Sequence, residues 1–433
     1  MAFDHTRRTM GADTEASRRG FLKGTGGIAM AAAAGGSIAF ADRAPAGFVG
    51  SALAQTPAAA DKGPKVLKMD GKAELTLLGD KPLVAETPAH LMDDEVTPTE
   101  KLFIRNNGNM PDAAALAADP KAWKIKIDGE VNAPMEIALG DLMAKFQPVT
   151  YRLMLECGGN GRSQFTPEAR GNQWTTGGAG CPEWTGVRLG DVLKAAGLKS
   201  SAVYTAHYGA DVHLSGDATK PTISRGVRLA KAMDEHTLIA FKLNGKDLPA
   251  LHGGPVRLIV PGWAGSASHK WLTRIWIRDK EHDGPGMTGF SYRVPKTPPV
   301  PGGKVEEANM AVLEAMPVRS VITSPSHGTR LASGARKIEV RGQAWAGESA
   351  IRAVDVSIDY GATWIKAEVK APANKYAWQR FVASVELPSA GYYEVWSRAT
   401  DSAGVVQPFQ AGNWNPQGYG ANAVTRVAVL AQA

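Results

Sequence analysis

Beyond residue 312 the hydrophobic pattern of this chain has a period of two almost everywhere, and nothing else in the sequence constrains the fold as strongly. The segments KIEVRGQAW (337–345), AVDVSIDYGATWIKAEV (353–369), WQRFVASVEL (378–387), YYEVWSRATD (392–401) and AVTRVAVLA (423–431) place apolar side chains on alternate residues. Successive side chains of a strand point to opposite faces, so each segment predicts a strand with one buried face. Short strands at this spacing, separated by turn residues, stack as two sheets face to face.

Upstream the pattern is mixed. TPPVPGGK (297–304) is a Pro/Gly-rich connector, and it divides the chain into residues 55–312 and 313–433. The second part reads as an immunoglobulin-like sandwich without an inter-sheet disulfide, because both cysteines, Cys157 and Cys181, lie before it. In the first part, WKIKIDGEV (123–131) reads as a strand pair turning at Asp128-Gly129, and MEIALGDLMAKF (135–146) as a strand entering a short helix. VYTAHYGADVHLSG (203–216) is strand-like, LAKAMDEH (229–236) is helical, and FKLNGKDLP (241–249) is a hairpin closed at Asn244-Gly245. Residues 55–100 are punctuated by prolines and charges and read as an extended arm. The fold class expected is α+β, mostly β.

The N-terminus carries an address. SRRGFLK (17–23) is a twin-arginine signal, IAMAAAAGGSIAFA (28–41) is shorter than the roughly 20 residues that span a bilayer, and Ala52-Leu53-Ala54 has the small-x-small form of a cleavage site. Residues 1–54 are therefore expected to be an export signal, leaving a periplasmic protein, exported folded, with no membrane span. They hold six Lys/Arg and four Asp/Glu, so the remainder is two charges less positive than the +7 of the whole chain. That mild excess, without a basic run, points to small anions or an acidic partner protein and not to nucleic acid. With 433 residues, 44% of them hydrophobic, the chain can bury a sizeable core.

One stretch carries chemistry: LMLECGGNGRSQF (153–165) ends an apolar run on a cysteine and follows it with glycines, an asparagine and an arginine. Two cysteines cannot make a disulfide framework. A nucleophilic thiol needs a histidine and an oxyanion hole, and His207, His213, His252 and His269 lie in contexts that cannot be paired with it from sequence. There is no CxxC, HExxH or CxxCH for zinc or haem. A buried structural cysteine is the plain alternative. Against it, the glycine turn lets a backbone approach a bulky ligand closely, and Arg162 offers a fork of donors for an oxyanion. Thiolate, permissive turn and arginine together suit a metal bound with an oxyanion.

The turn Cys157-Gly158-Gly159-Asn160-Gly161-Arg162-Ser163 resembles the C-(A/G)-G-N-x-R-S element of the sulfite oxidase family of molybdenum enzymes. The resemblance runs from about Leu102 to the C-terminus. The family's F-x-R-N-H element appears as Phe103, Ile104, Arg105, Asn106 and Asn107, with asparagine in place of histidine. LHGGPVRLIVPGWAGSASHKWLTRI (251–275) is similar to its D-H-G-x-P-V-R-x-x-V-P-G block. The tyrosine of its Y-K-G-F segment is not in register in MTGFSY (287–292), which leaves Tyr292 as the substitute, and an arginine found in animal members is replaced by Gln417.

The resemblance implies a molybdopterin-binding domain followed by a dimerising immunoglobulin-like domain. It assigns Cys157 to the metal, and Arg105, Arg162, Trp174 and Tyr292 to catalysis. It assigns Phe103, Arg105, Asn107, Asp211, His252, Arg257, Ser268, His269 and Lys270 to the cofactor. The activity it implies is oxidation of sulfite to sulfate at a molybdenum-molybdopterin centre. With no haem motif in the chain, electrons are expected to pass to a separate periplasmic c-type cytochrome. A sulfane dehydrogenase subunit acting on protein-bound sulfur, and a non-catalytic exported binding module, are the alternatives.

Overall fold

The computed structural model of the chain describes residues 64–433, apart from 113, 115, 117, 118 and 218. The export-signal reading of residues 1–54 lies outside the described residues. Among those residues no helix is long and apolar enough to cross a membrane.

Two sheets build the first part. One runs Ser224–Arg228, Tyr204–Gly209, Leu272–Arg278, Lys124–Gly129 and Met135–Ala138 in spatial order, parallel only between its third and fourth strands. The other runs Lys246–Asp247, Leu238–Leu243, Glu183–Arg188 and Pro148–Arg152, with Arg257–Ile259 also paired to Leu238–Leu243. Alternation decides which side chains meet: Ile125 and Ile127 are fully buried while Lys124 and Lys126 face water. These isoleucines share one hydrophobic cluster with Val187, Ile239, Leu258 and Ile275. Each such side chain contributes about 1.5–3 kcal/mol on burial.

The helix Leu189–Ala196 joins that cluster through Leu189, Val192, Leu193 and Ala196, spaced as one helical face. Asp191 in its first turn and Lys194 in its last complement the helix dipole, and Gly197 at φ +68° ends it.

The hairpin at Asn244-Gly245 forms as expected, with φ of +50° and +77°, the two positive values a two-residue hairpin turn requires. The one expected at Asp128-Gly129 does not. Both residues stay in the strand, opposite Trp276 and Ile277, and Arg274 holds Asp128 through two 2.9 Å bonds. The chain turns after them and re-enters the sheet at Met135. The arm also differs from expectation: Thr76–Asp80 and Leu83–Glu86 form a hairpin, and Val84 pairs with Arg105 of the short strand Ile104–Arg105.

The C-terminal part is a two-sheet sandwich. Arg319–Ser324, Lys337–Trp345, Gln379–Glu386 and Glu368–Val369 make one sheet. Thr329–Arg330, Thr425–Ala431, Gly391–Asp401, Ile351–Ser357 and Ile365–Lys366 make the other. Val340, Val354, Val356, Phe381, Val395 and Val429 fill the space between them. Residues 297–304 lie in the loop between the paired strands Arg293–Pro295 and Met310–Val312.

Among the carboxylates that tie the sandwich to the first part, one is almost fully buried. Glu156, 2% exposed, pairs with fully buried Arg319 at 3.0 Å and accepts from Trp345 Nε1 at 2.7 Å. Both partners lie on sandwich strands. Removing one member of such a buried pair leaves an uncompensated charge in low dielectric. Arg319→Met should therefore destabilise the protein by about 3–5 kcal/mol in urea unfolding, and Arg319→Met with Glu156→Gln by clearly less. Equal losses in the two variants would show that packing, not charge, holds this junction.

Candidate active site

Cys157 follows directly on Glu156, so the same junction places the thiol. The short strand Leu155–Glu156 pairs with Ala179–Gly180, Cys157 N–H donates to Gly178 O at 2.7 Å, and Asn160 N–H closes the turn on Cys157 O at 2.9 Å. The fully buried Asn160 side chain donates to Glu156 Oε1 and accepts from Gly178 N–H. Gly161 sits at φ +82°, and a Cβ there would lie 2.7 Å from Ala421 O. The asparagine and this glycine thus shape the turn around the thiol.

Cys157 opens on a cleft. Phe103, Arg105 and Asn107 line it from the segment after the arm, and Asp211 from the loop after Tyr204–Gly209. His252, Arg257, Ser268, His269, Lys270 and Tyr292 complete the set of expected residues that the fold brings together there. Two expected residues are elsewhere. Arg162 is absent from the lining: its Nε and Nη1 donate to the carbonyls of Gln417 and Asn172, each at 2.8 Å. Its guanidinium packs against Gly159, Gly171 and Gly418, where any Cβ would collide with it. Trp174 is buried edge-on to Phe103, with centroids 5.9 Å apart, and packs behind the cysteine through Gly178. Both pack against the turn, and neither is among the residues that line the cleft.

The cleft has an excess of positive charge. Arg257 donates to the carbonyls of His252 and Ser268, its Nε has no partner, and burial pulls its pKa down to about 9. Lys270 donates to Asn106 Oδ1 and Leu251 O, each at 2.7 Å. Burial, then Arg257 and Arg105, hold its pKa well below the usual lysine value. Behind it Lys72 lies 3.2 Å from His252 Nε2, lowered by burial to about 8. Burial keeps His252 and His269 neutral, and neither ring nitrogen of His269 has a partner. Asp211 is the one carboxylate in the lining, pushed up by burial to about 6.

Buried cations without counter-ions and orphaned donors call for an anionic ligand rich in acceptors. A phosphate-bearing organic cofactor fits them. Among the described residues no three His, Cys, Asp or Glu side chains converge on a metal, so a metal beside Cys157 would draw its other ligands from that cofactor. Asn106 and Lys72 were not singled out from sequence. Asn106 sits inside the Phe103–Asn107 element, where its neighbours carried the resemblance. Lys72 gave no signal, since its partners Thr99, Leu102 and His252 are distant in the chain.

Residues 111–286 match the oxidoreductase molybdopterin binding domain and residues 310–432 the Mo-co oxidoreductase dimerisation domain. Sulfite oxidase of Gallus gallus is 31% identical over 361 residues, 79% of this chain and 75% of that protein. Mitochondrial sulfite oxidase of Drosophila melanogaster is 32% identical over 371 residues, 81% of this chain and 62% of that protein. The chain thus spans under two thirds of the length of that mitochondrial relative. Nitrate reductase [NADH] of Ulva prolifera is 31% identical over 82% of this chain and 42% of its own. The sulfane dehydrogenase SoxCD from Paracoccus pantotrophus superposes with a TM-score of 0.67 at 27% identity, covering 86% of this chain and 92% of that one. The chain belongs to the sulfite oxidase family of molybdopterin oxidoreductases.

Proposed function

We propose that the protein is a periplasmic sulfite dehydrogenase that oxidises sulfite and water to sulfate, two protons and two electrons. The observation that carries this reading is the meeting of Cys157 and Arg105 in one cleft whose other charged residues are Arg257, Lys270 and a single carboxylate, Asp211. Molybdenum bound there with its pterin supplies two-electron oxygen-atom transfer. Cys157 is the protein's ligand to the metal. Arg257, Lys270 and His269, with Asp211 and Ser268, hold the anionic cofactor. Arg105 orients the sulfite oxyanion and stabilises its charge as the reaction proceeds. Tyr292 donates its hydroxyl to Asn107 Oδ1 at 3.1 Å, which fixes the phenol at the cleft as a group able to pass a proton.

The chain has no Cys-x-x-Cys-His sequence, so the electrons pass to a separate periplasmic c-type cytochrome. Its location rests on the SRRGFLK signal, and the homodimer on the match to a dimerisation domain. A second reading, oxidation of protein-bound sulfur, is favoured by the structural likeness to a sulfane dehydrogenase. Rapid oxidation of free sulfite by the isolated, molybdenum-loaded protein supports the first reading. Turnover only with a sulfur-carrier protein supports the second.

Cys157→Ser should abolish turnover while leaving the fold, because an alkoxide is a poorer donor than a thiolate. Cys181→Ala should leave metal content and rate unchanged: Cys181 is fully buried and its thiol is pushed up to about 12. Equal losses in the two variants, measured as metal per chain and turnover, would remove Cys157 from its special role. Arg105→Gln should raise the sulfite KM about tenfold or more, since one charge-assisted hydrogen bond contributes roughly 1.5–3 kcal/mol and about 1.4 kcal/mol is a decade. Unchanged steady-state constants would make Arg105 a structural residue.

A further inference from the structure

Tyr292 occupies a backbone conformation that bulky side chains avoid. Its φ is +49°, in the left-handed region, where a tyrosine stays only if its surroundings hold it. Its ring stacks on Tyr419, with centroids 5.0 Å apart and planes 13° from parallel, and its hydroxyl bonds Asn107. A third contact is less expected. The guanidinium carbon of Arg225 lies 4.9 Å from the Tyr292 ring centroid, at cation–π distance.

Arg225 is fully buried, and among the described residues no carboxylate pairs with it. Its Nη1 donates to Gly286 O at 2.8 Å and lies 2.8 Å from Met287 Sδ, while Nη2 reaches Leu313 O at 3.3 Å. Those two anchor points bracket the tyrosine: Gly286 and Met287 precede it in the chain, and Leu313 N–H donates to Tyr292 O at 2.9 Å. One fork therefore ties both backbone segments that set the position of Tyr292 and puts a fixed charge against its ring. A buried guanidinium without a counter-ion is costly. Here both terminal nitrogens are spent on the frame of one residue in the cleft wall, while Nε has no partner.

We infer that Arg225 is the positioning residue for Tyr292, holding the phenol on Asn107 and thereby setting how an oxyanion substrate is received. The inference rests on reading the cleft as a site of oxyanion oxidation. The test uses Arg225→Met, Arg225→Lys, Tyr292→Phe and the double variant Arg225→Met/Tyr292→Phe, each loaded with molybdenum, with kcat and KM for sulfite measured separately. Arg225→Met should raise KM about tenfold with a smaller fall in kcat, and Arg225→Lys should fall between it and the parent. The double variant should be within about twofold of the worse single variant, as for residues acting as one unit. A double variant whose loss equals the product of the single losses would overturn the inference.

A crystal structure of Arg225→Met, or of Arg225→Lys if the first does not accumulate, adds a readout without turnover. Tyr292 should be displaced from Asn107, less so with lysine, and an unmoved phenol would overturn the inference whatever the kinetics. If the loaded parent protein does not oxidise sulfite, the substrate reading fails, and the crystallographic arm alone decides the role of Arg225.

Discussion

The carboxylate of Glu156 receives a charge from Arg319, an indole N–H from Trp345 and an amide from Asn160, and the next residue is Cys157. Two of those donors belong to the sandwich and the third to the cysteine turn. Arg319 also donates to the carbonyls of Asn160 and Ala421, so it grips the turn from two sides. A thiol meant to bind a metal has to be presented at fixed depth and angle, and a two-residue strand cannot do that alone. The fold instead fastens the turn to a separate, well-packed body, which makes the sandwich part of the site's geometry.

Charge is the second constraint. Arg257, Lys270 and Arg105 line a cleft whose lining holds one carboxylate, Lys72 lies behind them, and burial depresses the pKa of Arg257, Lys270 and Lys72. Like charges packed this closely disfavour one another until an anion arrives. Loading a phosphate-bearing group thus relieves a built-in imbalance, and cofactor binding should stabilise the folded chain as any ligand of the native state does.

Much of this was legible in the sequence, for local reasons. Period-two segments became the sandwich strands because one face of each is buried, and Asn244-Gly245 closed a hairpin because both residues tolerate positive φ. The residues of the 251–275 block met because they leave adjoining short elements around one strand. What was illegible depended on distance in the chain. Asp128-Gly129 has the composition of a turn, but Arg274 and a parallel neighbour hold it in a strand. Arg162 has the chemistry of an anion ligand, yet its Nε and Nη1 are given to the carbonyls of Gln417 and Asn172. Lys72 and Arg225 carried no motif, because their partners come from segments that only folding brings near.

In the proposed function everything turns on Cys157 as the protein's ligand to molybdenum in this cleft. X-ray absorption at the molybdenum edge of the loaded protein tests it most directly, by counting sulfur ligands in the parent and in Cys157→Ser. The variant should show one sulfur fewer, with the dithiolene sulfurs of the pterin retained. An unchanged sulfur count, or a purified parent protein that takes up no molybdenum, would contradict it.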